Sequence, residues 1–287
     1  MTTATIDSFT SEVLSIELGD NVATLWLDRE EKRNALGPAF WTDLPIAMSV
    51  IAEDPEVRAV VVAARGPHFS VGLDLVAMSG LVSGATPERD GASRRPSPAV
   101  RAASVRADVL RMQASITSVA DCGVPVVAAI QGYCLGGGVD LAAACDIRLA
   151  SADAVFSVRE TKVAIVADLG SLQRLPHIIG KGHVAELAYT GKDITASRAA
   201  DIGLVNHVSS DSEAVVADAR ALATEIASNS PLAVRGTKAV LAAGEGRSVS
   251  EGLSFVATWN AGALGSEDLA EAMAAFTEKR PPVFTGR

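Results

Sequence analysis

The chain has 287 residues, 48% of them hydrophobic and 21% charged, which supplies a substantial core and argues against a disordered polypeptide. Its formal net charge of −9, from 34 acidic against 25 basic residues, argues against a nucleic-acid partner and against attachment to an anionic membrane. The three cysteines, Cys122, Cys134 and Cys145, are odd in number and contain no close CxxC pair, so neither a disulfide framework nor a zinc site is implied.

Met1 to Ser15 carries Asp7 and Glu12, no continuous apolar segment and no arginine. Neither a secretory signal nor an organelle transit peptide is expected from it, and the unpaired thiols suit a reducing compartment, taken here to be the cytoplasm. No run of eighteen apolar residues exists to cross a membrane as a helix. Strands are expected at Val13 to Leu18, Val22 to Leu27, Ala59 to Ala64 and Val124 to Ile130, each rich in valine, isoleucine or leucine and bounded by turn residues. Helical periodicity lies between them, at Ala39 to Ile51 and Val109 to Val119. This alternation predicts an α/β core with buried strands over residues 1–204. Gly80 to Arg95, rich in Gly, Ser, Pro and charge, reads as a long loop beside the functional site. From residue 205 to 287 the pattern is mostly helical, with helices at Glu213 to Ala227, Pro231 to Ala243, Val249 to Leu264 and Glu267 to Lys279. Such a tail needs a surface to bury against, and a sister subunit can provide it.

Two glycine motifs carry the candidate chemistry. Gln131 to Asp140 places Gly136, Gly137 and Gly138 between an apolar strand and a helix-like Leu-Ala-Ala-Ala, with Asp140 just beyond. Bare backbone and the free N–H groups of a helix start favour a negative charge there. His68 to Leu75 repeats the device after another strand. The amides of Leu73 and Gly137 could act on one carbonyl oxygen, although spacing alone does not make them converge. Neither motif is a Walker loop or a dinucleotide fingerprint, no Gly-x-Ser-x-Gly elbow is present, and His68, His177, His183 and His207 lack metal-ligand spacing.

Phe-Ser-Val-Gly-Leu-Asp-Leu (69–75) followed by Gly-Tyr-Cys-Leu-Gly-Gly-Gly-Val-Asp-Leu (132–141) resembles the crotonase (enoyl-CoA hydratase/isomerase) superfamily. Arg29 to Leu36 resembles its early CoA-binding loop, and Gln173 to Pro176 a later helix, so the likeness spans nearly the whole chain. Within the superfamily the chain most resembles the Δ3,5-Δ2,4-dienoyl-CoA isomerases, because Asp140, Glu160 and Asp168 fall where those enzymes carry three acids; hydratases carry two glutamates. Lys162 departs from the pattern, which has an acid there.

The resemblance implies a spiral of β-β-α units with a helical C-terminal trimerisation region, trimers often pairing into hexamers. It implies an acyl-CoA substrate bound along Val71, Gly72, Leu73, Asp74, Leu75 and Gly137, no separate cofactor, no metal, and an oxyanion hole at Leu73 and Gly137. It also implies Asp168 as base at C2 and Glu160 as acid at C6, with Asp140 orienting or tuning Glu160. Taken singly the acids have plainer readings: Asp140 as a helix-start carboxylate, Glu160 as an ion-pair partner of Arg159 or Lys162, Asp168 as a turn residue before Gly170. Lys32 and Arg33 are candidates for the CoA phosphates, whereas Lys279 and Arg280 read as surface charge. The competing functions are an enoyl-CoA hydratase, with Asp140 and Glu160 holding a water, and a catalytically silent acyl-CoA-binding protein.

Overall fold

The computed structural model describes residues 5–79 and 97–287. The expected Gly80 to Arg95 loop lies outside the described residues.

Strands β1 (Leu14–Gly19) and β2 (Val22–Leu27) form an antiparallel hairpin that pairs Leu14 with Leu27 and Gly19 with Val22. Its turn residues, Asp20 and Asn21, both adopt positive φ (52° and 61°), the two-residue geometry whose twist matches that of the flanking strands. Beyond β2 the ladder is parallel through β3 (Ala59–Ala64), β4 (Val126–Ile130), β6 (Ile147–Ser151) and β9 (His207–Ser209), giving a six-stranded sheet in the order β1-β2-β3-β4-β6-β9.

Every residue of β2, β3 and β4 is buried, as expected of parallel strands covered on both faces. Val60, Val62 and Ala64 point into the larger core with α1 (Pro38–Glu53) and α2 (Pro98–Ala120). Ala59, Val61 and Ala63 face α7 (Ser212–Ala227). Val215, Ala219, Ala223 and Ala227 recur every fourth residue along α7, and these small side chains form the stripe buried on the sheet.

A second sheet orders β5 (Tyr133–Leu135), β7 (Val155–Ser157) and β8 (Ile194–Thr195). Isolated parallel bridges join Ser70 to Cys134 and Leu36 to Leu73, bringing both glycine motifs and the Arg29–Leu36 loop together. β5 turns into α3 (Gly137–Ala144), all eight residues of which are buried. Shorter helices α4 (Ser171–Ile178), α5 (Lys181–Thr190) and α6 (Ala196–Asp201) follow, and α8 (Pro231–Gly244), α9 (Val249–Ala263) and α10 (Glu267–Glu278) complete the chain.

Two expectations need adjustment. α2 begins eleven residues before Val109, at Pro98 behind the Ser97 cap, because its first turns are exposed and carry no apolar period. The division at residue 204 does not fall at a structural break: β9 and α7 lie beyond it, yet β9 pairs with β6 in the sheet and α7 packs on its face. A three-residue strand inside a mostly helical stretch has too little length to show a period.

Candidate active site

The site is assembled around one asparagine. Asn34, 3% exposed, accepts from Arg29 N at 2.9 Å and donates to the carbonyls of Arg65 and His68 at 2.9 and 2.8 Å. Ser70 Oγ donates to Asn34 O at 2.8 Å and accepts Gly72 N–H at 3.1 Å. Leu36 then brackets residue 73: its N–H donates to Gly72 O at 2.8 Å and its carbonyl accepts Asp74 N–H at 3.0 Å. Among the described residues the N–H of Leu73 has no acceptor, and neither does that of Gly137, the first residue of α3. A Cβ placed on Gly137 would lie 3.9 Å from Leu73 N, so the two free donors are neighbours. Gly72 is required at the junction: its φ is +83°, and a Cβ there would approach Leu135 O to 2.7 Å.

Of the other residues expected along the acyl-CoA, Val71 donates its N–H to Arg33 O at 3.2 Å, and Leu75 is 46% exposed. Asp74 braces the loop, accepting from Arg29 Nη1 and Ala77 N, each at 2.9 Å, and these bonds hold its carboxyl below the usual range.

The three acids gather beside the amides. Asp140, in the first turn of α3, is 1% exposed; Oδ1 accepts from Ser171 N, at the start of α4, at 2.5 Å, while Oδ2 is buried without a partner among the described residues. Glu160 opens a 3-10 turn (Glu160–Val163), its Oε2 also buried without a partner among the described residues and its Oε1 3.1 Å from where a Cβ on Gly136 would lie. Asp168 is half-buried in the connection to α4, with its main-chain carbonyl accepting from Gln113 Nε2 at 2.6 Å.

Burial pushes the Asp140 carboxyl up to about 6; the bonds to Ser171 and the charge of Arg174 oppose the shift, and the charge of Asp168 adds to it. Burial, then the charges of Asp140 and Asp168, push Glu160 up to about 7 against opposing backbone hydrogen bonds. Burial also raises Asp168. The trio therefore titrates as a coupled set in which a proton can persist on one member at neutral pH.

The plainer readings divide. Glu160 has no cationic partner among the described residues: Arg159 pairs with Asp193, and the stem of Lys162 lies across Gly191, 3.0–3.3 Å from where a Cβ would sit. The charge of Lys162 acts on Asp193 instead. Asp140 does serve a helix start, that of α4, and keeps one oxygen free for the site. Arg280 is engaged by Glu271 and Glu278, as surface charge would be. Sequence reasoning missed Ser171 and Gln113, which hold Asp140 and the Asp168 main chain. No local signal links them, since Gln113 lies 55 residues from its partner.

A sequence model of the enoyl-CoA hydratase/isomerase family matches residues 17–94 and 99–287. The chain belongs to this family, and its fold is the crotonase fold. It is 41% identical over 281 residues to the peroxisomal Δ(3,5)-Δ(2,4)-dienoyl-CoA isomerase of Arabidopsis thaliana, covering 98% of this chain and 99% of that protein. It is 40% identical over 273 residues to the mitochondrial Δ(3,5)-Δ(2,4)-dienoyl-CoA isomerase of Dictyostelium discoideum, covering 94% and 90%. The crystal structure of enoyl-CoA hydratase from Bacillus anthracis superposes with a TM-score of 0.85 at 32% identity, covering 96% of this chain and all of that one (100%).

These relatives overturn the cytoplasmic expectation, since they are peroxisomal and mitochondrial proteins. The three cysteines are free and buried, but a buried thiol is explained by packing and does not single out one reducing compartment.

Proposed function

We propose that this chain converts 3,5-dienoyl-CoA to 2,4-dienoyl-CoA in fatty-acid oxidation, with Asp168 as base, Glu160 as acid and Asp140 tuning Glu160. The observation that carries the reading is the third acid: Asp168 joins Asp140 and Glu160 closely enough for its charge to act on both. Asp168 takes the proton from C2, and the electron pair of that C–H bond forms the C2=C3 bond as C3=C4 shifts to C4=C5. The pair of the former C5=C6 bond takes a proton from Glu160 at C6. Negative charge in the dienolate collects on the thioester oxygen, where the amides of Leu73 and Gly137 donate to it. Lys32 and Arg33, with no ion-pair partner among the described residues, contact the CoA phosphates. The active form is a homotrimer or a pair of trimers.

The purified chain is incubated separately with a 3,5-dienoyl-CoA and with crotonyl-CoA while absorbance reports the gain or loss of conjugation. Isomerisation is expected, and Asp168→Asn lowers its kcat on the order of a hundredfold or more. Hydration without isomerisation would favour the second reading, an enoyl-CoA hydratase, which has in its support the two partnerless buried oxygens of Asp140 and Glu160, able to hold a water. Full isomerase activity in Asp168→Asn would overturn the assigned base.

A further inference from the structure

Asp168 lies on no helix or strand; it sits in the irregular connection between the Glu160 turn and α4. Two neighbouring elements grip that connection by its main chain. From α2, Gln113 Nε2 donates to Asp168 O at 2.6 Å. One helical turn further along the same face of α2, Thr117 Oγ1 accepts from Arg174 Nη2 at 3.0 Å, and Arg174 Nη1 reaches Leu169 O at 3.4 Å. Two consecutive carbonyls, 168 and 169, are thereby fixed, the first from α2 and the second from α4. Gly170 follows with φ +126°, and the Arg174 guanidinium fills the space a side chain would need there.

We infer that Gln113 is a positioning residue for the isomerisation, holding the Asp168 main chain so that its carboxylate meets C2, with Thr117 and Arg174 as the second point of the grip. This inference rests on the dienoyl-CoA reading above. Among the described residues, the charged groups beside Asp168 are Asp140 on α3 and Glu160 on its 3-10 turn, on both of which its charge acts, and Arg174 on α4, whose guanidinium reaches the adjoining Leu169 O. α2 contributes only a neutral amide and a hydroxyl to the grip. Removing the Gln113 amide therefore changes no charge, and a displaced pH profile reports relocation of Asp168 itself. The direction follows from burial, which holds the Asp168 carboxyl above its ordinary range; a released connection admits water and lowers it.

The test compares the full-length wild type with Gln113→Met, which keeps length and helix preference but removes the donor. With a 3,5-dienoyl-CoA, kcat is expected to fall on the order of tenfold to a hundredfold. KM should change by less than about twofold. The acidic limb of kcat/KM should move to lower pH. Thr117→Val, which removes the acceptor of Arg174, should move both in the same direction by less, and it carries the test if Gln113→Met does not fold. A wild type that fails to convert the dienoyl substrate would defeat the functional reading. An active wild type whose variants keep its kcat, or lose kcat with the acidic limb unmoved, overturns the positioning role.

Discussion

Glu160 shows how one side chain links stability to chemistry. Its carboxyl is driven up to about 7 by burial and by the charges of Asp140 and Asp168, and among the described residues its Oε2 has no partner that would favour ionisation. A group whose folded value lies above its unfolded value contributes stability that is complete below the unfolded value, near 4.5, and is lost as pH rises through about 7. Glu160→Gln mimics the protonated form, so urea denaturation should show the variant more stable than wild type at pH 8, by on the order of 3 kcal/mol. The difference should vanish below pH 4.5. In the proposed mechanism the same variant cannot supply the C6 proton, and it should lose isomerase activity at every pH. Wild-type kcat/KM should decline above about pH 7 as the acid loses its proton. A variant no more stable than wild type at pH 8 would mean that the carboxyl is solvated or paired in solution.

At the scale of elements, the proposed oxyanion hole is a product of two chain reversals that meet. Gly72 and Gly136 both have positive φ, and the Leu36 bracket engages the amide of Asp74, next to Leu73, while leaving that of Leu73 without an acceptor among the described residues. Gly72→Ala should cost about 1–2 kcal/mol for the left-handed conformation, and the clash with Leu135 O adds to it. Because that clash bears on the strand leading into α3, kcat should fall about 100-fold or more while the protein remains folded, as judged by circular dichroism. Wild-type turnover in Gly72→Ala would show that these amides are not the catalytic donors. The long elements were legible in the chain: β2 and β3 are near-continuous apolar runs bounded by turn residues, and α1 and the four C-terminal helices have enough residues to express a period. The second sheet was not, because β5, β7 and β8 have only two or three residues each and are defined by partners remote in sequence. Asp140, Glu160 and Asp168 could be named from a resemblance, but their assembly depends on contacts such as Asp140 to Ser171 and Gln113 to Asp168, which leave no local trace.

The molecule as a whole ends in helices that bury little of themselves. α9 has no buried residue, and α8 has only Gly236, covered by the Trp259 indole of α9. Leu253 and Leu264 are 62% and 63% exposed, and Met273 and Phe276 of α10 are 62% and 82% exposed. α10 is nevertheless firmly tied down. The buried Asp268 carboxylate accepts from Ser230 Oγ and from the N–H groups of Thr285 and Gly286, and Arg58 Nη2 donates to Phe284 O at 2.9 Å. An ordered arm with its apolar residues outward carries a desolvation benefit that a single chain cannot collect, and association of identical copies would supply it. Light scattering of the wild type should therefore give three or six times the chain mass. Leu253→Asp with Phe276→Asp should shift the mass toward that of one chain, because each new carboxylate would need to lose its water at the contact. The outward apolar side chains are not in the core, so the variant should keep its far-ultraviolet spectrum. A wild type that runs as a monomer across micromolar concentrations would show that this arm does not drive assembly, and the trimer would be withdrawn from the proposed active form.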